Sequence, residues 1–164
     1  MISNKITVLI ILTLMIFFSC ENQLENSNTL AEKSNDSFYT SSKEGDLYRI
    51  PLIKPIQVIS SVGIDSDWLL RLPYQSIDRL RQIKVDSLTV VDSVIIIDAG
   101  LVSLPGETTQ AWFIIDNKNR TEKIYTTKEA YIKDLVSIGT KEDTKLYEVN
   151  GVYRKFKEKG KTPW

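Results

Sequence analysis

The sequence predicts an α+β domain, a largely antiparallel sheet of about five or six strands with one or two C-terminal helices on one face. Three observations lead there. Short β-branched runs recur from Leu47 to Tyr125, broken by turn residues. The apolar period then lengthens from two to nearly four at Thr126. Strands that precede helices, rather than alternating with them, segregate into a sheet with helices beside it.

The first strand region is "LYRIPLIKPIQVIS", from Leu47. Pro51 and Pro55 cannot donate to a ladder, so the region is an edge strand or two short extended pieces. "IQVIS" from Ile56 alternates as a strand does, "SVGIDSD" supplies a turn, and "WLLRL" (Trp68 to Leu72) returns until Pro73 stops it. Ile83, Val85 and Leu88 alternate with Lys84 and Asp86, the pattern of a half-buried strand. Val94 to Ile97 is unbroken and β-branched, which suits a central strand or a short buried core segment, closed by Asp98 and Gly100. A loop from Leu101 to Gln110, with a turn at Pro105-Gly106, leads to "AWFIID" (Ala111 to Asp116). "NKNR" then turns the chain and "TEKIYT" pairs back, the clearest hairpin of the sequence.

The helix begins at Thr126, with Glu129 three residues later as a capping box, each side chain satisfying the other's free amide. Tyr131, Ile132, Leu135, Val136 and Ile138 fall on one face, and Gly139 stands where helices commonly end. The tail admits two readings. Leu146, Val149, Val152, Tyr153 and Phe156 make a helical stripe, whereas Asn150-Gly151 between apolar runs signals a hairpin. A hairpin would mix Tyr147, Val149, Val152 and Arg154 on its faces, so the helix is preferred despite a glycine cost of about 1 kcal/mol.

The front of the chain is of a different kind. Lys5 is followed by thirteen uncharged residues, Ile6 to Phe18, eleven of them Ile, Leu, Val, Met or Phe. A bilayer span needs about twenty apolar residues, so the run has the layout of a secretory signal, with small Ser19 before the cut. "FFSC" resembles the lipobox of bacterial lipoproteins, although Phe17 and Phe18 stand where leucine and a smaller residue are usual. The resemblance implies cleavage between Ser19 and Cys20 and acylation of Cys20, which would hold the chain to a membrane. One acyl chain holds only marginally, and the two or three implied here would hold stably. The expected organisation is a signal peptide over 1–19, a polar linker over 20–45 and one domain over 46–164. The linker "CENQLENSNTLAEKSNDSFYTSSKEG" is poor in apolar residues and reads as a spacer. The expected location is the cell envelope, periplasmic or surface-facing, with the membrane face and oligomeric state left open.

Composition narrows the chemistry. Basic and acidic residues number 21 each, so there is no cationic excess for nucleic acid. Histidine is absent, which removes the usual neutral-pH base and the commonest metal ligand. Cys20 is the one cysteine, so no disulfide forms within the chain and, once acylated, no thiol is left. Asp65-Ser66-Asp67 lacks the further ligands of a calcium loop and reads as a polar turn. Asp98 and Asp116 would meet only if their strands ran parallel. No catalytic, metal or cofactor site is assigned.

The residues singled out for contact with a partner are Ser103, Glu107, Thr108 and Gln110 in the loop, with Thr109 between them, and Arg154, Lys155, Lys157 and Trp164 in the tail. For each set a plain connection or solvated face is the simpler reading. Trp68 and Trp112 read as core anchors, while Trp164 either folds back or stands exposed. The stretch "WFIIDNKNRTEKIYTTKEAYIKDL" loosely resembles small bacterial immunity-type proteins, with no diagnostic motif and no residue carried over. That resemblance implies a toxin as partner. The expectation is a tethered protein-binding module, with such an inhibitor as its more specific form; the alternatives are a structural accessory of an envelope complex and a carboxylate-based hydrolase.

Overall fold

The structure is a computed structural model that describes residues 35–72, 83–104 and 106–164. Ser19, Cys20, the signal segment and the first part of the linker lie outside the described residues, as does Pro105. No helix among the described residues is long and apolar enough to cross a membrane.

The described residues divide into two units between Thr40 and Ser41. Among the described residues before Ser41, the short helix α1 (Ser37–Thr40) is capped where Asp36 Oδ1 accepts from the Phe38 amide at 2.8 Å. From Ser41 onward, ten strands among the described residues form two five-stranded antiparallel sheets. The first sheet holds β1 (Lys43–Glu44), β2 (Leu47–Ile53), β3 (Ile56–Ser60), β4 (Leu69–Arg71) and β5 (Ile83–Lys84), in that spatial order. The second runs β10 (Tyr147–Glu148), β6 (Ser87–Val91), β7 (Val94–Leu104), β8 (Glu107–Asp116) and β9 (Thr121–Tyr125). Helices α2 (Lys128–Ser137) and α3 (Val149–Lys159) complete the body.

The α+β class and the antiparallel pairing are those the sequence predicts, but the strands divide between two sheets. The division falls inside the run read as one strand from Ile83 to Leu88. The Val85 amide bonds Trp68 O in the first sheet, and the next amide, Asp86, bonds Asp98 O in the second. Ile83, Val85 and Leu88 are all buried, but the period of two breaks between Val85 and Leu88, three residues apart, where the chain passes from one sheet to the other. Pro51 is tolerated because β1 reaches only to Tyr48, leaving β2 an edge at the proline. A cis Lys54–Pro55 bond turns β2 into β3. The short strand β1 takes Lys43 and Glu44 from the stretch read as linker.

Period two also assigns the cores. Ile95, Ile97 and Ala99 of β7, with Ala111, Phe113 and Ile115 of β8, join side chains of the first sheet and of α3 in the larger core. The intervening Ile96, Trp112 and Ile114 face the other way and pack with Tyr131 and Leu135 of α2. Both faces of the second sheet are therefore covered in its middle, as the unbroken Val94–Ile97 run leads one to expect. The two helices enter separate cores and not one shared face.

Helix α2 starts one residue later than the capping box requires. Thr127 is the N-cap, makes no side-chain cap bond, and its carbonyl accepts from the Tyr131 amide at 3.2 Å. Glu129 is then out of step to reach back. Tyr131 and Leu135, one turn apart, are buried, whereas Val136 and Ile138 are 54% and 41% exposed. Ile132 is half-buried and packs against the same core, whereas Val136 lies round the helix and Ile138 is the C-cap before Gly139 at φ 82°. In the tail the helix wins over the hairpin. Glu148 accepts from the amides of Asn150 and Gly151 at 2.9 and 2.7 Å, closing the N-terminus. Val149, Val152, Tyr153 and Phe156 are its buried stripe; Leu146 precedes it and packs against the smaller core.

Candidate functional site

The stretch expected to be a loop from Leu101 to Gln110 is instead strand. After Asp98 the β7 register slips by one residue, with Asp98 opposite Trp112 and Leu101 opposite Gln110. Gly100 takes φ 60° in this bulge, and its amide bonds Asp98 Oδ1 at 2.9 Å. Beyond the bulge Leu101, Val102, Ser103 and Leu104 pair with Gln110, Thr109, Thr108 and Glu107. Asp98 and Gly100 therefore bend the strand rather than end it.

The hairpin outruns its neighbours. β6 pairs with β7 only between Val94 and Asp98, and β9 pairs with β8 only between Trp112 and Asp116. Among the described residues, the four final pairs form a two-stranded arm extending about 13 Å. Opposed residues share a face. Leu101, Ser103, Thr108 and Gln110 thus lie together on the side that carries Trp112 lower down, and all four are exposed, Leu101 at 72%. Glu107 stands on the opposite face with Val102, Leu104 and Thr109, and Val102 packs against the larger core. The arm thus has one seated face and one open face that bears no charge.

The tail residues lie elsewhere. Arg154, Lys155 and Lys157 are exposed on α3, whose buried stripe belongs to the larger core, opposite the open face of the arm. The Arg154 guanidinium donates to Asp65 Oδ1 at 3.0 Å, an exposed pair of small energetic weight. Lys157 and Lys159 in the last turn suit the helix dipole. Trp164 is half-buried and packs against the larger core. Ser103, Thr108 and Gln110 therefore lie on the face of the second sheet away from α3, and Glu107 on the side nearer to it.

The acidic candidates are turn and pairing residues. Asp65 meets Arg154, and Asp67 meets Lys84 Nζ at 3.1 Å. Their turn is tied to α3 through Trp68, whose indole N–H donates to Asn150 Oδ1 at 2.6 Å. Asp98 faces Trp112 while Asp116 faces Val94, so the two carboxylates are held apart along the antiparallel pair. Hydrogen bonds from the Asn119 amide and side chain keep the Asp116 carboxyl below its usual range. Among the described residues no group of three or more His, Cys, Asp or Glu side chains could hold a metal ion.

One polar cluster is not singled out by the sequence pattern. Asp134 Oδ2 accepts from Lys123 Nζ at 2.8 Å and from the Tyr125 hydroxyl, and Ser137 Oγ donates to Oδ1 at 3.1 Å. The donors stand two apart on β9, and Asp134 and Ser137 three apart on α2; only pairing the two spacings would have revealed them. Lys123 and then Tyr125 lower the Asp134 pKa, while burial, then Asp134 itself, raises that of Tyr125. Burial and the charge of Asp98 push neighbouring Tyr131 up to about 12. These directions move both acids away from neutrality, contrary to what a general acid or base needs. The cluster fastens α2 to β9.

No family model matches the chain, and no similar protein was found among curated sequences or solved structures.

Proposed function

We propose that this chain is a lipid-tethered protein-binding module of the bacterial envelope, and that the open face of the β7–β8 arm is its contact surface. The observation that carries the reading is the arm itself. A lone two-stranded ribbon is marginal in water, yet this one extends past its neighbours with Leu101 exposed amid uncharged Ser103, Thr108 and Gln110. Such a face suits the centre of an interface, where charge is depleted. The basic α3 surface is the lesser candidate, since Arg154 is already paired. The tether reading rests on the apolar run and Cys20. Within this class, an immunity-type inhibitor that covers a toxin is the more specific form.

Capture from the native envelope tests the contact. One protein is expected to be recovered with the natural chain and reduced at least tenfold with Leu101→Arg/Gln110→Arg, a folded variant with a charged face. Equal recovery contradicts the assignment. The identity of that protein separates an inhibitor from an accessory of an envelope complex. For the tether, Cys20→Ser is expected to lose the acyl chains and with them the cut before residue 20, so that the longer uncleaved chain accumulates; a variant processed to the same mass as the natural chain contradicts it.

A further inference from the structure

We infer that the outer edge of β8 from Thr108 to Gln110 takes up an extended segment of the partner protein as an added strand, which rests on the protein-binding reading above. The direction of the backbone groups carries the inference. The Asn117 amide, just past β8, donates to Ser93 O across the β7 side. Backbone groups alternate in direction along a strand, and the register slip lies in β7, so β8 keeps its alternation throughout. Odd residues of β8 therefore bond β7, and even residues face β9. β9 meets Trp112, Ile114 and Asp116 and ends with Tyr125 opposite Trp112. The chain then turns into α2, whose N-cap is Thr127. Thr108 and Gln110 thus present N–H and C=O groups outward, and among the described residues no strand pairs with them.

A row of donors and acceptors two residues apart, in line with a strand that stops short, is complementary to an extended backbone. The side chains set which one. The partner strand would lie beside Leu101, Ser103, Thr108 and Gln110 on one face, so its residues there are uncharged and small or apolar. On the other face Glu107 is the arm's only charge and favours a basic residue opposite it. The same two residues therefore serve through backbone and side chain alike.

Amide exchange on the full chain tests this, with a capped hexapeptide of alternating valine and threonine as probe and the same peptide N-methylated at every amide as control. The Thr108 and Gln110 amides are expected to exchange freely alone and to slow about tenfold with probe at ten times its dissociation constant. The methylated peptide is expected to leave both unchanged. Thr108→Pro removes an outward amide and spares the ladder to β7, so the arm should persist while Gln110 loses its protection. Three results overturn the inference: both amides protected in the free chain, by a second copy or another segment of the same chain; no protection at millimolar probe; or equal protection by the methylated peptide. If partner capture still depends on Leu101 and Gln110 in any of these cases, docking through side chains stands and strand addition falls.

Discussion

Gly100 holds the bulge at the root of the arm, and a Cβ there would collide with Asp86 Oδ2 and lie 3.0 Å from its Cγ. Its φ of 60° adds about 1–2 kcal/mol for any L side chain. Gly100→Ala is expected to lower stability by at least that amount in denaturant titration, and pairing it with Asp86→Ala should restore only the part due to the collision. Tyr153 offers the reverse case. The residue is 1% exposed, its ring between Trp68 and Tyr48, and among the described residues its hydroxyl has no hydrogen-bond partner. An unsatisfied buried hydroxyl costs about 1–3 kcal/mol, so Tyr153→Phe should raise the melting temperature. The Asp134 prediction concerns pH. An unfolded aspartate ionises near pH 4, and the folded group lies lower, held by Lys123 and Tyr125. Its contribution is complete above the unfolded pKa and is lost as pH falls through the depressed folded value. Asp134→Asn should therefore destabilise at pH 7, with the difference closing below about pH 4 in paired melts. At this scale core identity was legible, since Trp68 and Trp112 lie in the cores. Trp164 was not, because nothing in a chain end says what it folds against.

Elements were legible where period and punctuation agreed. The "AWFIID" and "TEKIYT" hairpin formed as read, because two strand-like runs flank a short polar turn. The tail helix prevailed over Asn150-Gly151 because Glu148, whose role no spacing rule marks, closes its first turn. Glu148→Ala should cost about 0.5–2 kcal/mol, read as lost helical signal at lower denaturant. The capping box failed for the complementary reason: two adjacent threonines, Thr126 and Thr127, offer alternative starts, and the first turn closes on the Thr127 carbonyl. The arm was misread as a loop because Gly100 and Pro105-Gly106 are turn signals at both ends of a short polar-flanked run. A bulge and a tight turn carry the same residues as a loop, and only the register tells them apart.

Across the whole molecule, the division into two sheets was hidden because Leu88 was read into the strand of Ile83 and Val85, although the period of two breaks before it, where the chain crosses between sheets. The consequence is a second sheet clad on both sides in its middle and open at one end, where the arm leaves it. In this account a lipid anchor at Cys20 sets where the domain works, the two cores hold the sheet rigid, and the arm meets the partner. Position-specific photo-crosslinking in the native envelope tests that account most directly, with a benzophenone residue at Gln110 and, as reference, at exposed Lys118 in the turn at the far end of β8. The account predicts one discrete protein adduct from Gln110 and none from Lys118. No adduct at Gln110, or equal adducts from both ends of β8, would contradict it.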